Sequence, residues 1–351
     1  MSAALLDRIR SEIEGSKGWI SFARYMELAL YEPGLGYYAG GARKFGAGGD
    51  FVTAPELGRI FGRTLARQLR EFPRILEFGA GSGALAEALL GELDCEYWIL
   101  ETSTELRDRQ QKRLGNRVRF LDRLPERFDG AMLANEVVDA MPVHAIAWRD
   151  GGVMERGVSL EGNALAWNER EATAGLRDEA QKIEVPLPYE SELGLAGRAW
   201  VRSLGERLES GAIFIIDYGF PRAEYYHPQR SMGTLKSHHR HRSLDDVLVN
   251  PGEQDITAHV DFSALAGAAH DTGLEVLGYA TQAQFLVNCG ITDVLAEANV
   301  EKALHYAPIA AEAQKLLSPA EMGELFKVLA VGRGVKRPLL GFSRNDRSHT
   351  L

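Results

Sequence analysis

Cysteine is nearly absent. The 351 residues hold two, Cys95 and Cys289, far apart and without CxxC spacing. That excludes a disulfide framework and a cysteine zinc site, and reads both thiols as small apolar filler. No uninterrupted apolar stretch is long enough to span a bilayer. Basic charge is in deficit: 40 Lys and Arg against 49 Asp and Glu give a formal net charge of -9. This speaks against sequence-independent nucleic-acid binding and suits a small molecule or a basic peptide. The first residues, MSAALLDRIRSEIEG, lack the marks of a leader. Asp7, Arg8 and Arg10 interrupt any apolar core of a signal peptide, and Asp7, Glu12 and Glu14 are acids a mitochondrial presequence avoids. The expectation is a cytoplasmic protein without membrane insertion.

What is present is an ordinary globular composition, 45% hydrophobic and 25% charged, long enough for a large domain with insertions. Residues 1–74 read as a helical extension. One helix is expected near 3–15, a second over FARYMELALY behind Ser21 as N-cap, and a third near 57–71. Between the last two lies a stretch rich in glycine that also carries Tyr37, Tyr38, Phe45 and Phe51, and so reads as an ordered loop. From 75 the pattern alternates short apolar strands (ILEF, YWILE, VRFL, GAMLAN, then GAIFIIDYG) with helical segments, the signature of a parallel α/β sheet. An antiparallel pair is expected around 145–170. Residues 75–220 then form a core, 221–330 an insertion with helices on the substrate side, and a final strand near 338–343 closes the core within 331–351.

ILEFGAGSGALAEALL (75–90) carries the cofactor question. Gly79, Gly81 and Ala84 satisfy the loose dinucleotide fingerprint, and Gly83 falls within the same turn. Glu77, two residues ahead, would repel a pyrophosphate seated on the helix N-terminus. S-adenosylmethionine (SAM) carries an ammonium, a sulfonium and a carboxylate but no phosphate, so it tolerates Glu77. Glu101, at the end of the second strand, can accept both ribose hydroxyls of either cofactor. Asp122, after the third strand, is placed either to reach an adenine edge or to cap a turn. Asn135, Glu136 and Asp139 gather at the carboxyl end of the fourth strand, where open α/β sheets bind ligands.

EFGAGSGALA resembles motif I of class I SAM-dependent methyltransferases. ISFARYMELALYEPGLGYY (20–38), GDFVTAPELGRIFG (49–62), ANEVVDAMPVH (134–144) and PGEQDITAHVDFSAL (251–265) together resemble the MidA-type family, protein arginine methyltransferases linked to respiratory complex I assembly. DYG (217–219) and GTLKSHHRH (233–241) fit as well. The resemblance covers nearly the whole chain, and the sequence looks like a bacterial member. It departs at Thr102 in ILETS, where a proline is expected in many relatives. The implied fold is a Rossmann-like sheet with an N-terminal helical extension and C-terminal insertions. The implied activity is methyl transfer from SAM to a protein arginine, with a complex I subunit as the substrate of mitochondrial members. A homodimer is compatible with it.

That chemistry needs carboxylates to pair with the guanidinium, free one nitrogen and accept its proton. Glu136 and Asp139 are the candidates, with Glu56 as a third. Asp50, Phe51, Thr53 and Glu56 sit in a loop expected to close over the cofactor. Asp217 and Tyr218 end the fifth strand and are expected to face the same crevice. The cluster His238, His239 and His241 reads as a mobile basic loop, not a metal site. Asp255, His259 and Asp261 read as capping and cleft lining, with His259 a candidate base. Three other readings stand beside this one: a small-molecule methyltransferase, a non-catalytic assembly factor that keeps the fold, and a dinucleotide oxidoreductase, which Glu77 opposes.

Overall fold

Apolar runs without polar interruption need cover on both faces, and that requirement shapes the molecule. A computed structural model describes residues 3–40, 53–239, 242–244, 246–297 and 303–351. Its main sheet is built from β1 (Arg74–Phe78), β2 (Glu96–Leu100), β3 (Arg119–Leu121), β4 (Phe128–Asn135), β5 (Leu208–Phe220), β6 (Glu275–Thr281) and β7 (Phe326–Arg333). They lie in the order β6-β7-β5-β4-β1-β2-β3, and the short strand Val260–Asp261 pairs with the end of β5. β5, β4, β1, β2 and β3 are mutually parallel, while β7 runs antiparallel to β5 and to β6. Chain order reverses between β1 and β4, which opens a crevice at their carboxyl ends.

The two-residue period of each strand sends alternate side chains to opposite layers. Ile75, Leu133, Phe214 and Ile216 face a layer with Phe61, Leu65, Leu85 and Leu316 from the helices Ile60–Leu69, Ala84–Leu90 and Ala303–Leu317. Leu76, Met132, Ile213 and Ile215 face Val201, Leu204, Phe262 and Leu265 from Leu195–Gly205 and Phe262–His270. The closing strand differs from the sequence expectation. FKVLAVGR forms the antiparallel neighbour of β6, whereas the later LLGF is a single 3-10 turn at Leu340–Phe342 that follows Pro338.

The antiparallel pair expected around 145–170 grows into a five-stranded sheet. Gly152–Glu161 pairs with His144–Arg149, with Ala164–Glu171 and with Ile20–Ser21, and Tyr189–Leu193 pairs with His144–Arg149. The helix Ala3–Gly15 packs Leu5, Ile9 and Ile13 against Val143, Ala145 and Val158 of this sheet region. The helix Phe22–Tyr31 joins the same cluster, and Ser21 caps it by accepting from the Arg24 N–H at 3.2 Å. The expected third helix is split by Gly58 into Ala54–Leu57 and Ile60–Leu69. Glu312 caps the second piece from another helix, accepting from Ile60 N–H at 2.7 Å and Phe61 N–H at 3.3 Å. A carboxylate at this positive end is favourable. A third small sheet, Lys236–His239, Arg242–Leu244 and Asp255–Thr257, lies beside the Phe22–Tyr31 helix: Ile256 packs with its Met26.

Two glycines let the sheet centre close. A Cβ on Gly211 (φ +127°) would lie 1.9 Å from the Gly130 carbonyl oxygen, and one on Gly130 (φ +133°) 2.3 Å from that of Arg74. Gly211→Ala is therefore expected to destabilise the fold by at least about 2 kcal/mol, combining backbone strain with the clash. Gly175→Ala, in a helix with open space around it, should be neutral or stabilising by up to about 1 kcal/mol. Denaturant unfolding of both variants checks the contrast, and equal effects would contradict it.

Candidate active site

The crevice between β1 and β4 widens into a cavity of about 530 Å³. One half is built by the glycine turn. Gly79, Gly81 and Gly83 all take positive φ (+59°, +54° and +81°), the conformation that glycine adopts without penalty. Gly83 then starts the helix Ala84–Leu90. Glu101 lines the wall opposite and accepts from Ser103 N–H at 2.9 Å and from the Gln110 amide at 3.0 Å. The same amide donates to the Gly81 carbonyl at 2.9 Å, so Gln110 ties the acid to the turn. Glu77 is buried at the floor, where it accepts from the Tyr97 hydroxyl at 2.7 Å. Burial pushes its carboxyl up to about 7, against the hydrogen bond and with help from the Glu101 charge.

The other half is built by carboxylates and phenols. Glu136 stands at φ +53°, a left-handed conformation that is uncommon for a side chain of this size and that clusters at functional sites. Its carboxylate accepts from the Asn135 amide at 3.2 Å and from the Ala54 backbone N–H. Burial, reinforced by the Asp139 charge, pushes it up to about 8. Asp139 is 6% exposed, and the Tyr218 hydroxyl donates to its Oδ2. Its Oδ1 has no hydrogen-bond partner, nor has Oδ1 of Asn135. Asp217 is fully buried beneath them. It accepts from the N–H groups of Val138 (3.0 Å), Asp139 (3.2 Å) and Tyr218 (2.9 Å). Burial raises the carboxyls of Asp139 and Asp217, and for Asp217 the neighbouring acids add to it.

The site residues expected from sequence divide into three groups. Glu77, Gly79, Gly81, Glu101, Asn135, Glu136, Asp139, Thr53 and Glu56 all line this one cavity, whereas Gly83 does not and faces Leu114, Arg113 and Gln110 at the helix start. Glu56 reaches the glycine turn, not the other acids: the Ser82 hydroxyl donates to it, and Arg113 holds Ser82 from behind at 2.8 Å. Asp122 is turned outward, exposed and ion-paired with Arg107, and does not line the cavity. β3 is only three residues long, so the chain turns away early. Asp50 and Phe51 lie outside the described residues, as does His241. His238 and His259 line the cavity, and no metal-binding group of His, Cys, Asp and Glu occurs among the described residues. Burial lowers the His259 imidazole to about 4, so it is neutral at ordinary pH.

Sequence reasoning passed over Tyr31 and Tyr38 as cavity residues. Their rings stack at 5.6 Å, the Tyr31 hydroxyl donates to the Ala140 carbonyl at 2.9 Å, and the Tyr38 hydroxyl donates to Asp255 at 2.9 Å. The signal was the aromatic content of an otherwise glycine-rich stretch. Ser82, inside the glycine turn, left no signal that distinguishes it from a filler residue.

The cavity fits SAM on its own terms. It pairs a turn of positive-φ glycines with a carboxylate at the end of the next strand, the pattern of nucleoside sites in open α/β sheets. Comparison with known proteins agrees. Residues 57–280 match the family model of putative S-adenosyl-L-methionine-dependent methyltransferases. A fruit-fly (Drosophila melanogaster) protein named "Protein arginine methyltransferase NDUFAF7 homolog, mitochondrial" is 30% identical over 97% of this chain and 89% of its own length. The zebrafish (Danio rerio) NDUFAF7 protein is 29% identical over 94% and 87%. A Burkholderia thailandensis protein solved with S-adenosyl-homocysteine bound is 49% identical, covers 99% of this chain and 96% of its own, and superposes with a TM-score of 0.96. Glycine turn, strand-end acid, sheet order and these relatives converge: the chain belongs to the S-adenosyl-L-methionine-dependent methyltransferases of this family, with a class I Rossmann-like fold.

Proposed function

We propose that this methyltransferase acts on an arginine side chain of a protein. The observation that carries the reading is the position of Glu136 and Asp139. A buried carboxylate with an unpartnered oxygen, Asp139, and a partly buried one, Glu136, share a cavity with the glycine turn. Acids withdrawn from water in this way call for a cation, and both residues line the cavity. The names of the animal relatives point to arginine. The family resemblance points to a respiratory complex I subunit as such a substrate.

When bound, SAM supplies an electrophilic methyl group on a sulfonium. The chain's own residues do the rest. Glu101 takes the ribose hydroxyls, and the glycine turn admits the methionine portion above Glu77. Thr53 and Glu56 cover that half, with Glu56 anchored on Ser82. Glu136 and Asp139 accept guanidinium N–H groups, hold the ion in one orientation and draw its charge away from the nitrogen that attacks. The proton lost from that nitrogen passes to a carboxylate whose affinity for protons is already high. Tyr218 keeps Asp139 aimed, because its hydroxyl is donated there.

Glu101→Ala should weaken S-adenosyl-homocysteine binding by about tenfold or more, since hydrogen bonds to a charged group contribute about 1.5–3 kcal/mol. Calorimetry reads this, and an unchanged affinity would remove Glu101 from the cofactor site. Glu136→Gln should leave that affinity within about twofold and cut methyl transfer from labelled SAM to protein by about 100-fold or more, the scale of lost charge stabilisation. Full activity in that variant would sink the carboxylate pair. The pH dependence has a definite sign. Glu136 titrates near 8 in the free protein, so a cation must displace its proton at neutral pH. Affinity for an arginine peptide should rise as pH rises toward 8 and level off above it, by up to about tenfold per pH unit. Flat affinity between pH 6.5 and 8.5 would show that Glu136 does not meet the cation.

A further inference from the structure

The small sheet formed by Lys236–His239, Arg242–Leu244 and Asp255–Thr257 stands apart from the main sheet. Yet its strand period aims it at the same cavity. Lys236 and His238 on one strand, and Asp255 and Thr257 on the next, line the cavity at alternate positions. The residues between them, Ser237 and Ile256, are fully buried on the other side, Ile256 among Tyr25, Met26 and Val247. Asp255 is therefore held in place by a core residue next to it. The Tyr38 hydroxyl fixes its Oδ1 at 2.9 Å, and Tyr38 is itself stacked on Tyr31.

We propose that Asp255 is a specificity-determining residue, the acid that meets the substrate cation from a different element than Glu136 and Asp139. The proposal rests on the arginine reading above. Its physical ground is shape. An ammonium is a compact charge that one cluster of acceptors satisfies, whereas a guanidinium is planar and presents five N–H donors along several edges. Acceptors supplied by two separate elements of one cavity match the second ion better than the first. Glu136 and Asp139 stand on the loop after β4, and Asp255 stands on a separate sheet, with the phenols of Tyr31 and Tyr38 between. The Asp255 charge reaches across this space: it contributes to the raised carboxyl of Glu136 and to the raised phenols of Tyr31 and Tyr38. The unpartnered Oδ1 of Asp139, on a side chain more than nine-tenths buried, independently marks the space as one that receives a donor.

The experiment uses full-length protein saturated with S-adenosyl-homocysteine, titrated with N-acetyl-arginine amide and N-acetyl-lysine amide. The wild type should prefer the arginine probe. Asp255→Asn should weaken that probe by about tenfold or more and narrow the preference over lysine, with cofactor affinity unchanged. Tyr38→Phe, which keeps the carboxylate but releases it, should move both readouts the same way by less. Asp255→Asn with wild-type affinity and preference would overturn the proposal, as would a variant that also loses the cofactor, because the residue would then be structural. If Glu136→Gln loses the arginine probe while Asp255→Asn keeps it, the arginine reading stands and only this inference fails. If the wild type binds neither probe, or prefers lysine, the arginine reading falls and this inference falls with it.

Discussion

The site depends on one buried carboxylate that touches no substrate. Asp217, at the end of β5, accepts three backbone N–H groups, two of them from the loop after β4. A loop that enters the interior must satisfy its backbone donors, and Asp217 is where these go. With Val138 and Asp139 pinned from below, Glu136 is held in the left-handed conformation, and Asp139 and Tyr218 meet across a hydrogen bond. The main chain of β4 and β5 supplies the last rung of the frame: Glu136 N–H donates to the Ile216 carbonyl at 2.9 Å. The parallel sheet ends, and the next few residues are spent on placing acids.

Placing acids there works against stability. Burial raises Glu136, Asp139 and Asp217 together, so each binds its proton more tightly folded than unfolded. For such groups stability is fully present at low pH and is lost as pH rises from the ordinary carboxylate range through the folded value. Among groups that titrate near neutrality, a cation entering the cavity reverses this by giving the carboxylates a partner. A substrate that brings positive charge and donors thus restores what folding gave up. Glu77 follows the same rule: burial raises its carboxyl to about 7 beneath the glycine turn, where the Tyr97 hydroxyl donates to it.

Much of this was readable in the chain. The alternation of strands and helices, the glycine turn with Glu77 ahead of it, Glu101 at the second strand end and the acids after GAMLAN lie where local pattern placed them, because parallel strands buried on both faces leave a strong apolar signature. The closing strand was misplaced. FKVLAVGR mixes Lys327 and Arg333 into its apolar run, which blurs the strand signal; the buried Lys327 is satisfied locally, by the carbonyls of Glu324 and Leu325. Asp122 was drawn toward the cofactor by its position after a strand, but a surface arginine captures it. Asp255 was read as cleft lining, but its partner Tyr38 lies 217 residues away in sequence, and only the fold brings the two together.

The most direct test is the identity of the methylated atom. The protein, methyl-labelled SAM and a protein extract would be incubated together, the protein fraction hydrolysed, and the labelled amino acids separated. The account predicts label in ω-N-methylated arginine, absent when Glu136→Gln replaces the wild type. Label in lysine, in another side chain, or only in small molecules outside the protein fraction would contradict it, and would leave the acids of this cavity serving a different cation.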